Sequence, residues 1–395
     1  MPANAYGEKN TAITGVGQSK VSRGSEHSAL RLTVDACMAA IKDAGLTRAA
    51  IDGIATWPGD RGDESGFSPV GSAGLQDALR LKVKWYAGGG EAPGQYGAVF
   101  NAIGAISAGL CRNVLIFRTM YEATARKAAF ANSLLKPGQR QGGGFAWYAP
   151  YWNYAAALQQ SLFFNKYTHN SGIKPEQIAQ ISINQRRNAS LNPAAIYRTP
   201  ITLDDYMASP RIAGPLRIYD CDVPIDGSAA VVISRLDAAR DLRQKPLRFE
   251  AVGCALHDHE SWFGRSDWPN MALNDAAKMM WDRTDLKPAD VDTAHLYDGF
   301  TWLTILWLEA LGLTKRGETG AFLEGGKRIA LDGELPLNTN GGQLSEGRLH
   351  AFNHLGEAIR QLRGQAGERQ VKDVNVSVCG AGGGVFGASL LLTRD

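Results

Sequence analysis

The feature that most constrains this chain is a repeat with a very long period. The pattern Leu46…Ile51-Asp52 recurs, with the same internal spacing, 240 residues later as Leu286…Val291-Asp292. In both places a helical pattern ends near the leucine, and a short turn leads through the Ile/Val-Asp pair into a run typical of a strand. A repeat of this kind predicts a duplicated αβ domain.

The two predicted halves also end alike. The segment from Asp222 to Ser234 and the segment from Val374 to Thr393 both place a glycine turn before an apolar strand. A chain of 395 residues, 44% of them hydrophobic, is long enough to build two such units. We therefore expect an N-terminal half over residues 1–240 and a C-terminal half over residues 241–395.

Residues 121–215 match nothing in the second half. They include the segment from Gly142 to Asn153, which is rich in glycine and aromatic residues. Long irregular insertions in compact domains commonly carry substrate contacts. This region is therefore predicted to be an inserted loop region of the N-terminal half.

Charge and cysteine content exclude several classes of function. The formal net charge is +3, from 42 basic and 39 acidic residues, and the absence of a basic run argues against nucleic acid as a partner. The five cysteines show no CxxC spacing and are expected to be reduced thiols of a cytoplasmic protein. The first residues do not resemble a signal peptide, and the longest apolar run, around Leu303–Leu313, is too short to insert into a membrane.

The segment Tyr297-Asp298-Gly299-Phe300 is the strongest candidate for acid–base chemistry. It follows a strand pattern and precedes a helical pattern that begins at Trp302. The field of the helix N-terminus favours nearby negative charge, so we expect it to favour the phenolate form of Tyr297. The alternative is a tyrosine that merely ends an ordinary strand.

Two other motifs each have a functional and a structural interpretation. Gly382-Gly-Gly384-Val-Phe-Gly387 matches GxGxxG, but too few residues follow it for a dinucleotide-binding unit. A turn at Gly382 and Gly383 that brings backbone N–H groups near an oxyanion remains possible. His257-Asp-His259-Glu260 has metal-ligand spacing, but without a third ligand a loop beside a pocket is favoured, and we predict no metal.

Taken together, the motifs resemble the thiolase superfamily, and in particular sterol-carrier-protein-type thiolases and thiolase-like lipid-transfer proteins. The resemblance covers nearly the whole chain and is carried by a small set of segments. These are the duplicated halves, Asn192-Pro193, Ser209–Leu216, Asp220-Cys-Asp222 with Asp226-Gly227, Tyr297–Phe300 and Asn338–Gly347. It implies two ααβ-layered halves, a coenzyme A thioester as ligand, no further cofactor, and a homodimer formed through the central strands of the N-terminal half.

Departures from the thiolase pattern predict different chemistry. The segment Tyr86–Gly94, where thiolases carry a nucleophilic cysteine, contains none, and the His-Asp-Cys-Phe motif of the branch is replaced by Tyr297–Phe300. Gly347-Arg348-Leu349 stands where thiolases have Gly-His-Pro, with His350 following. A covalent acyl-cysteine needs both a thiolate and a base, so ordinary thiolysis is not expected.

What remains resembles the thiolase-like aldolases that shorten steroid side chains. This resemblance implies retro-aldol cleavage of a 17-hydroxy-steroid side-chain CoA thioester to a 17-ketosteroid and propionyl-CoA. It also implies a small partner with a zinc ribbon and an OB fold, in a heterotetramer. The implied site comprises Tyr297, Asp298 and His350 as catalytic residues and, as substrate or CoA contacts, Asn338, Gly341, Gly342, Gly347, Arg348, Gly382 and Gly383.

One expected feature is absent, and two other functions stay open. The aldolase resemblance implies a second functional tyrosine in the C-terminal segment, but no tyrosine follows Tyr297, and Phe352 is the candidate for its place. A carrier of lipid-CoA that has lost its cysteine is the main alternative. A thiolase that uses a displaced cysteine is a weaker one.

Overall fold

The computed structural model describes residues 6–60, 65–90, 92–129, 149–151, 153, 155–258, 262, 265 and 267–394. Within these residues nine strands form one mixed sheet, and two short strands form a separate hairpin. The strands are β1 (Thr11–Gln18), β2 (Gly53–Thr56), β3 (Trp85–Gly88), β4 (Asn113–Tyr121), β5 (Arg211–Ala213), β6 (Leu216–Arg217), β7 (Asp226–Arg235), β8 (Leu247–Gly253), β9 (Thr293–Leu296), β10 (Val376–Ala381) and β11 (Ala388–Arg394).

Helices pack against the strands of both half-sheets. They are α1 (Ala29–Asp43), α2 (Ser72–Leu79), α3 (Gly97–Ser107), α4 (Glu122–Ala129), α5 (Ala156–Ser171), α6 (Pro175–Ser190), α7 (Leu203–Ala208), α8 (Leu236–Ala239), α9 (Ala272–Trp281), α10 (Thr301–Ala310), α11 (Thr319–Leu323), α12 (Gly342–Ser345) and α13 (Phe352–Leu362).

The sheet shows the predicted duplication directly. Its strand order is β3-β2-β4-β7-β1-β8-β11-β10-β9, in which β2-β4-β7-β1 and β9-β10-β11-β8 have the same sequence of parallel and antiparallel pairings. Two pairs of residues join β1 to β8 and so connect the half-sheets. Strands β2 and β9 begin and end at the same offset of 240 residues as the sequence repeat. The duplicated αβ architecture is therefore confirmed.

The repeated aspartate has the same task in both halves. Asp52 accepts hydrogen bonds from two successive backbone N–H groups at the start of β4, at 2.8 and 2.9 Å. Asp292 accepts from two successive N–H groups at the start of β10, at 2.7 and 2.9 Å. Charge-assisted bonds of this kind align a strand with its parallel neighbour, which explains why the Ile/Val-Asp pair marks the repeat.

The long apolar run of the second half forms a buried core helix. In α10, Trp302 and Trp307 are fully buried, and the helix lies against β9 and the Gly380 region of β10. In the described part of the chain, no helix is long and apolar enough to cross a membrane.

The inserted region is described only in part. Its described residues form α4 to α7 and the β5–β6 hairpin, and α6 packs on α7, α11 and α12. Residues 130–148 and Trp152, which include most of the predicted aromatic and glycine-rich segment, lie outside the described residues.

The sheet also limits how two copies can associate. Every central strand is hydrogen-bonded on both sides, so a dimer made by strand addition could not use the central strands. The homodimer itself stays a prediction. One edge, at β9, is covered by the segment of Leu337 and Asn338. Within the described residues, the other edge, β3, has no such cover, and Tyr86 on it is 71% exposed.

Candidate active site

Tyr297 lies where β9 ends, at a sharp change of chain direction. Its backbone N–H donates to the carbonyl oxygen of Gly380 at 2.9 Å, which continues the pairing of β9 with β10. A Cβ atom at Gly299 would lie 2.8 Å from the ring of Tyr297 and 3.1 Å from its hydroxyl oxygen. Glycine is therefore needed for the ring to fold over the turn that leads into α10. The side chain of Tyr297 is 7% exposed.

An aromatic group from both halves surrounds this tyrosine. The ring of His350 lies 6.0 Å from the ring of Tyr297, edge to face. From the first half, Trp57 stacks on His350 at 5.8 Å and Phe67 meets it edge-on at 4.8 Å. Phe386, on the glycine-rich turn, lies 6.0 Å from Trp57. The predicted catalytic residues Tyr297 and His350 are thus brought together at the junction of the halves.

Tyr297 is a neutral phenol in this environment. Burial raises its pKa well above the usual range, the nearby carboxylates Asp222 and Asp298 raise it further, and Arg348 and the side chain of Gln343 lower it. The expectation of a phenolate favoured by the helix field is therefore wrong, because loss of solvent outweighs the favourable charges.

The side chain of Asp298 is buried and binds the start of α12. Its carboxylate is fully buried and accepts the backbone N–H groups of Gln343 at 3.0 Å and Leu344 at 3.3 Å, at the start of α12. One oxygen also lies 2.8 Å from His354 Nε2. These contacts occupy the carboxylate, so the structure gives Asp298 a positioning role in place of the predicted catalytic one.

His350 is neutral, and its ring nitrogens are engaged. Arg118 donates to Nδ1 from Nε at 3.3 Å and from Nη2 at 3.2 Å, and a guanidinium can only donate. The remaining nitrogen, Nε2, therefore carries the ring proton. It lies 3.1 Å from the side-chain amide of Gln95, and the amide oxygen accepts this proton when the amide is turned so that its oxygen faces the ring. Burial, then Arg118 and Arg348, hold the pKa of His350 well below its usual value. With its lone pair occupied, His350 is poorly suited to the predicted role of a base.

Arg348 belongs to a partly buried ion-pair cluster. Its guanidinium binds the carboxylate of Glu122, and its Nε lies 3.4 Å from Asp222. The pKa of Arg348 is raised because these two carboxylates outweigh the cost of burial. Arg348 therefore keeps a positive charge next to Tyr297. The predicted contact of Arg348 with a CoA phosphate is not supported, because the guanidinium is paired with two carboxylates of the protein itself.

Asn338 supports Tyr297 from the edge of the sheet. Its side-chain oxygen accepts from the backbone N–H of Leu296 at 2.7 Å, and its amide nitrogen donates to the carbonyl of Leu296 at 2.9 Å. The residue is fully buried. Both ends of the amide are used to hold the last residue of β9, so Asn338 has a structural role in place of the predicted contact with CoA.

The glycines of the Asn338–His350 segment permit close packing. A Cβ at Gly342, where φ is +61°, would lie 2.1 Å from a carboxylate oxygen of Asp298, so only glycine allows Asp298 to bind the start of α12. Gly341 and Gly347 also lie in tight contact with side chains of neighbouring elements. Packing thus explains why these three positions are glycine, and their contact with substrate stays a prediction.

The glycine-rich turn between β10 and β11 reaches the first half of the chain. A Cβ placed on Gly94 would lie 3.1 Å from the ring of Phe386 and 3.9 Å from the Cα of Gly382. Gly383 has room for a Cβ, with its nearest neighbour 3.9 Å away. The predicted turn therefore lies beside the segment in which thiolases carry their cysteine, and Gly382 and Gly383 remain predicted substrate contacts. Glu91, in that segment, lies outside the described residues.

No cysteine of the chain has the properties of an activated nucleophile. Burial is the largest influence on every thiol, and it raises the pKa of Cys111 to about 11 and that of Cys221 to about 12. The pKa values of Cys37, Cys254 and Cys379 are raised for the same reason. A nucleophilic thiol needs a lowered pKa.

The place predicted for a second tyrosine contains a buried aromatic pair. Phe352 meets Tyr96, from the first half, edge to face at 6.2 Å. The hydroxyl of Tyr96 donates to the carbonyl oxygen of Ala351 at 3.1 Å, and burial raises its pKa well above the usual range. Tyr96 therefore anchors the His350 segment.

The candidate metal motif lies only partly within the described residues. His257 lies 3.8 Å from Asp275, while His259 and Glu260 lie outside the described residues. Among the residues that the structure describes, no group of three or more histidine, cysteine or acidic side chains could hold a metal ion.

Several residues of the site were missed from the sequence. Their positions give no periodic or motif signal, because long-range folding brings them together. They are Trp57, Phe67, Gln95, Arg118, Glu122 and His354. Gln343 lies inside the Asn338–His350 motif, at the start of α12, and could have been singled out as a side-chain amide in that motif.

Comparison with known proteins agrees with this architecture. The family profile described as Thiolase C-terminal domain-like matches residues 254–392. The 17-hydroxy-3-oxo-4-pregnene-20-carboxyl-CoA lyase of Mycobacterium tuberculosis is 34% identical over 389 residues, 96% of this chain and 98% of that protein. A steroid side-chain-cleaving aldolase of Thermomonospora curvata is 32% identical over 393 residues, 97% and 98% of the two chains.

A solved structure gives the same result. The structure described as Ltp2-ChsH2(DUF35) aldolase matches with a TM-score of 0.86 and 30% identity, covering 98% of each chain. This chain therefore belongs to the thiolase-like superfamily. Within it, the lyase and the aldolases named above are similar to this chain over nearly its full length, so the predicted family and fold class are confirmed.

Proposed function

We propose that this protein is a carbon–carbon lyase that cleaves a steroid side-chain β-hydroxyacyl-CoA thioester by a retro-aldol reaction. The products are a 17-ketosteroid and propionyl-CoA. The observation that carries the proposal is a buried, neutral Tyr297 at the junction of the two halves, in a chain whose cysteines all have raised pKa values. The similarity to aldolases named for this reaction supports the same substrate class.

A neutral phenol suits the proton balance of this reaction. The substrate hydroxyl loses a proton, the bond between its carbon and the α-carbon breaks, and the hydroxyl carbon becomes the ketone. The electron pair of that bond becomes a thioester enolate, whose α-carbon takes up the proton of Tyr297. Because a neutral phenol can accept a proton only as it gives up its own, Tyr297 takes the hydroxyl proton in the same step and ends as it began.

The negative charge of the enolate oxygen also needs stabilisation. Backbone N–H groups at Gly382 and Gly383 are suited to this, because neither residue has a side chain that would block approach. The cations Arg118 and Arg348 near the site favour transient negative charge, while Glu122 and Asp222 balance them. No residue in this scheme forms a covalent intermediate.

We also propose a quaternary structure for the protein. A homodimer through the open edge of β3 and a small partner with a zinc ribbon and an OB fold would give a cytoplasmic heterotetramer. Support comes from the exposed edge at Tyr86 and from the similar structure, which is named for an aldolase and a second component. Light scattering at micromolar concentration tests the dimer: wild type should give the mass of two chains, and Tyr86→Glu should shift it toward one. A monomeric wild type would refute the dimer.

The reaction itself is tested without added coenzyme A. The protein is co-purified with its partner and incubated in D₂O with the 17-hydroxy-steroid side-chain CoA thioester, and products are identified by mass spectrometry. The proposal predicts a 17-ketosteroid and propionyl-CoA with one deuterium at the α-carbon, because the hydroxyl proton exchanges with solvent. Iodoacetamide should not inhibit. Turnover that depends on added coenzyme A, or binding without cleavage, would favour a thiolase or a carrier and overturn the proposal.

A further inference from the structure

The side-chain amide of Gln343 is a buried donor that completes no hydrogen bond of ordinary geometry in the described part of the chain. Gln343 is fully buried, and within the described residues its Nε2 makes no hydrogen bond. An unpaired buried donor destabilises a fold, and native proteins contain few of them. A group of this kind next to a reactive side chain therefore calls for a functional explanation.

The orientation of this amide is fixed by its other contacts. The backbone N–H of Ala351 donates to the side-chain oxygen of Gln343 at 3.3 Å, which identifies Nε2 as the free end. The backbone N–H of Gln343 donates to Asp298 at 3.0 Å, and its carbonyl oxygen accepts from Val223 at 3.1 Å. Gln343 is thus held from three sides.

These contacts place the amide between the two parts of the site. Asp298 directly follows Tyr297, and Ala351 directly follows His350, whose ring lies 6.0 Å from that of Tyr297. Nε2 completes no hydrogen bond of ordinary geometry within the described residues, but the side chain of Gln343 acts on Tyr297 as a hydrogen-bonding group and lowers the pKa of Tyr297 against the dominant, opposite effect of burial.

We propose that Gln343 is a positioning residue of the reaction, whose Nε2 donates a hydrogen bond to the phenol oxygen of Tyr297 while that oxygen carries negative charge. The inference rests on the proposed function for its role in catalysis. When Tyr297 gives its proton to the α-carbon before the hydroxyl proton has fully arrived, its oxygen becomes negative, and a donor already oriented toward it needs no reorganisation. The proton count of the reaction is unchanged.

The test measures Tyr297 directly and needs no substrate. Difluorotyrosine is incorporated at position 297, which brings ionisation of the phenol into a range where the protein is folded, and the phenolate is titrated by absorbance. Gln343→Met should raise the pKa of this phenol by about one unit, because it removes the donor. Gln343→Glu keeps the oxygen that binds Ala351 and should raise it at least as much. This second variant decides the question if Gln343→Met does not fold.

Gln185→Met is the matched control. Gln185 is also a fully buried glutamine with no hydrogen bond from either end of its amide within the described residues, and it lies on α6. Its substitution should leave the pKa at position 297 unchanged. The inference is overturned if both Gln343 variants titrate like wild type, or if Gln185→Met shifts the phenol equally.

Turnover separates this inference from the proposed function. In otherwise natural protein with its partner, Gln343→Met should lower kcat about ten-fold with little change in KM. If wild type cleaves the thioester while the Gln343 variants do not shift the phenol, the proposed function stands and the inference fails. If wild type does not cleave it, the proposed function fails, and the titration still decides whether Gln343 acts on Tyr297.

Discussion

Replacement of Tyr297 by phenylalanine removes one hydroxyl and leaves the ring in place. The ring keeps its edge-to-face contact with His350 at 6.0 Å and its position over Gly299. The free energy of unfolding should change by about 1 kcal/mol or less. Loss of a positioned acid–base group lowers rates by roughly 10²–10⁴, so we expect kcat of Tyr297→Phe to fall by that factor, with KM nearly unchanged.

The pH dependence distinguishes the two possible forms of Tyr297. Because burial raises its pKa well above the usual range, the phenol stays protonated throughout the pH range in which the protein is assayed. Its ionisation should therefore give no rise of kcat with pH between about 7 and 9.5. A phenolate base with a lowered pKa would instead give a rate that increases with pH until the phenol is fully ionised.

The assay is steady-state cleavage of the CoA thioester with the partner present, at several pH values. Tyr206→Phe is the matched control, since Tyr206 is a buried tyrosine whose hydroxyl donates to Asp220 at 2.8 Å. That variant should lose stability and keep its turnover. If Tyr297→Phe turns over near the wild-type rate, Tyr297 is structural and the mechanism is wrong. A rate that rises with pH only when Tyr297 is present would refute the neutral phenol.

Three further results are expected. Asp298→Asn should lower the free energy of unfolding by roughly 2–4 kcal/mol in urea denaturation, because the carboxylate binds two N–H groups and His354; an unchanged midpoint would show that these bonds contribute little. Each single Cys→Ala variant should keep its turnover, and one that abolishes it while folded would restore a thiolase mechanism. Burial raises the pKa of Asp220 from 3.8 to about 6. Below pH 4 this carboxyl is protonated in both the folded and the unfolded chain, and the free energy of unfolding then falls by about 3 kcal/mol as the pH rises through 6, because the buried carboxyl must lose its proton. Asp220→Asn should remove that fall, which denaturation curves from pH 4 to 7 would detect.

The duplication and the position of Tyr297 could be predicted because they depend on local patterns. The Leu…Ile/Val-Asp repeat marks a strand entry, and the structure shows why, since Asp52 and Asp292 bind successive N–H groups of the neighbouring strand. The break after Tyr297 was readable because glycine and a helical pattern follow it. The resemblance added the family, which full-length relatives confirm.

The roles of the motif residues could not be predicted in the same way. Asp298, Asn338 and Arg348 have residue types that suit catalysis or phosphate binding. In the structure their polar atoms bind other parts of the chain, because burial makes an unpaired charge or amide costly. Which polar group keeps a free donor, as Gln343 does, depends on all of its neighbours together.

The sequence by itself determined the halves, the strand entries, the absence of a cysteine in Tyr86–Gly94 and the Tyr-Asp-Gly-Phe segment, because each is encoded in adjacent or regularly spaced residues. Only the tertiary structure decided the protonation state of Tyr297 and the hydrogen bonds made by the ring nitrogens of His350. Both depend on groups more than 50 residues away, such as Asp222 for the tyrosine and Arg118 for the histidine. A pKa responds to distance, charge and exclusion of water, and none of these is set until the two halves have packed against each other.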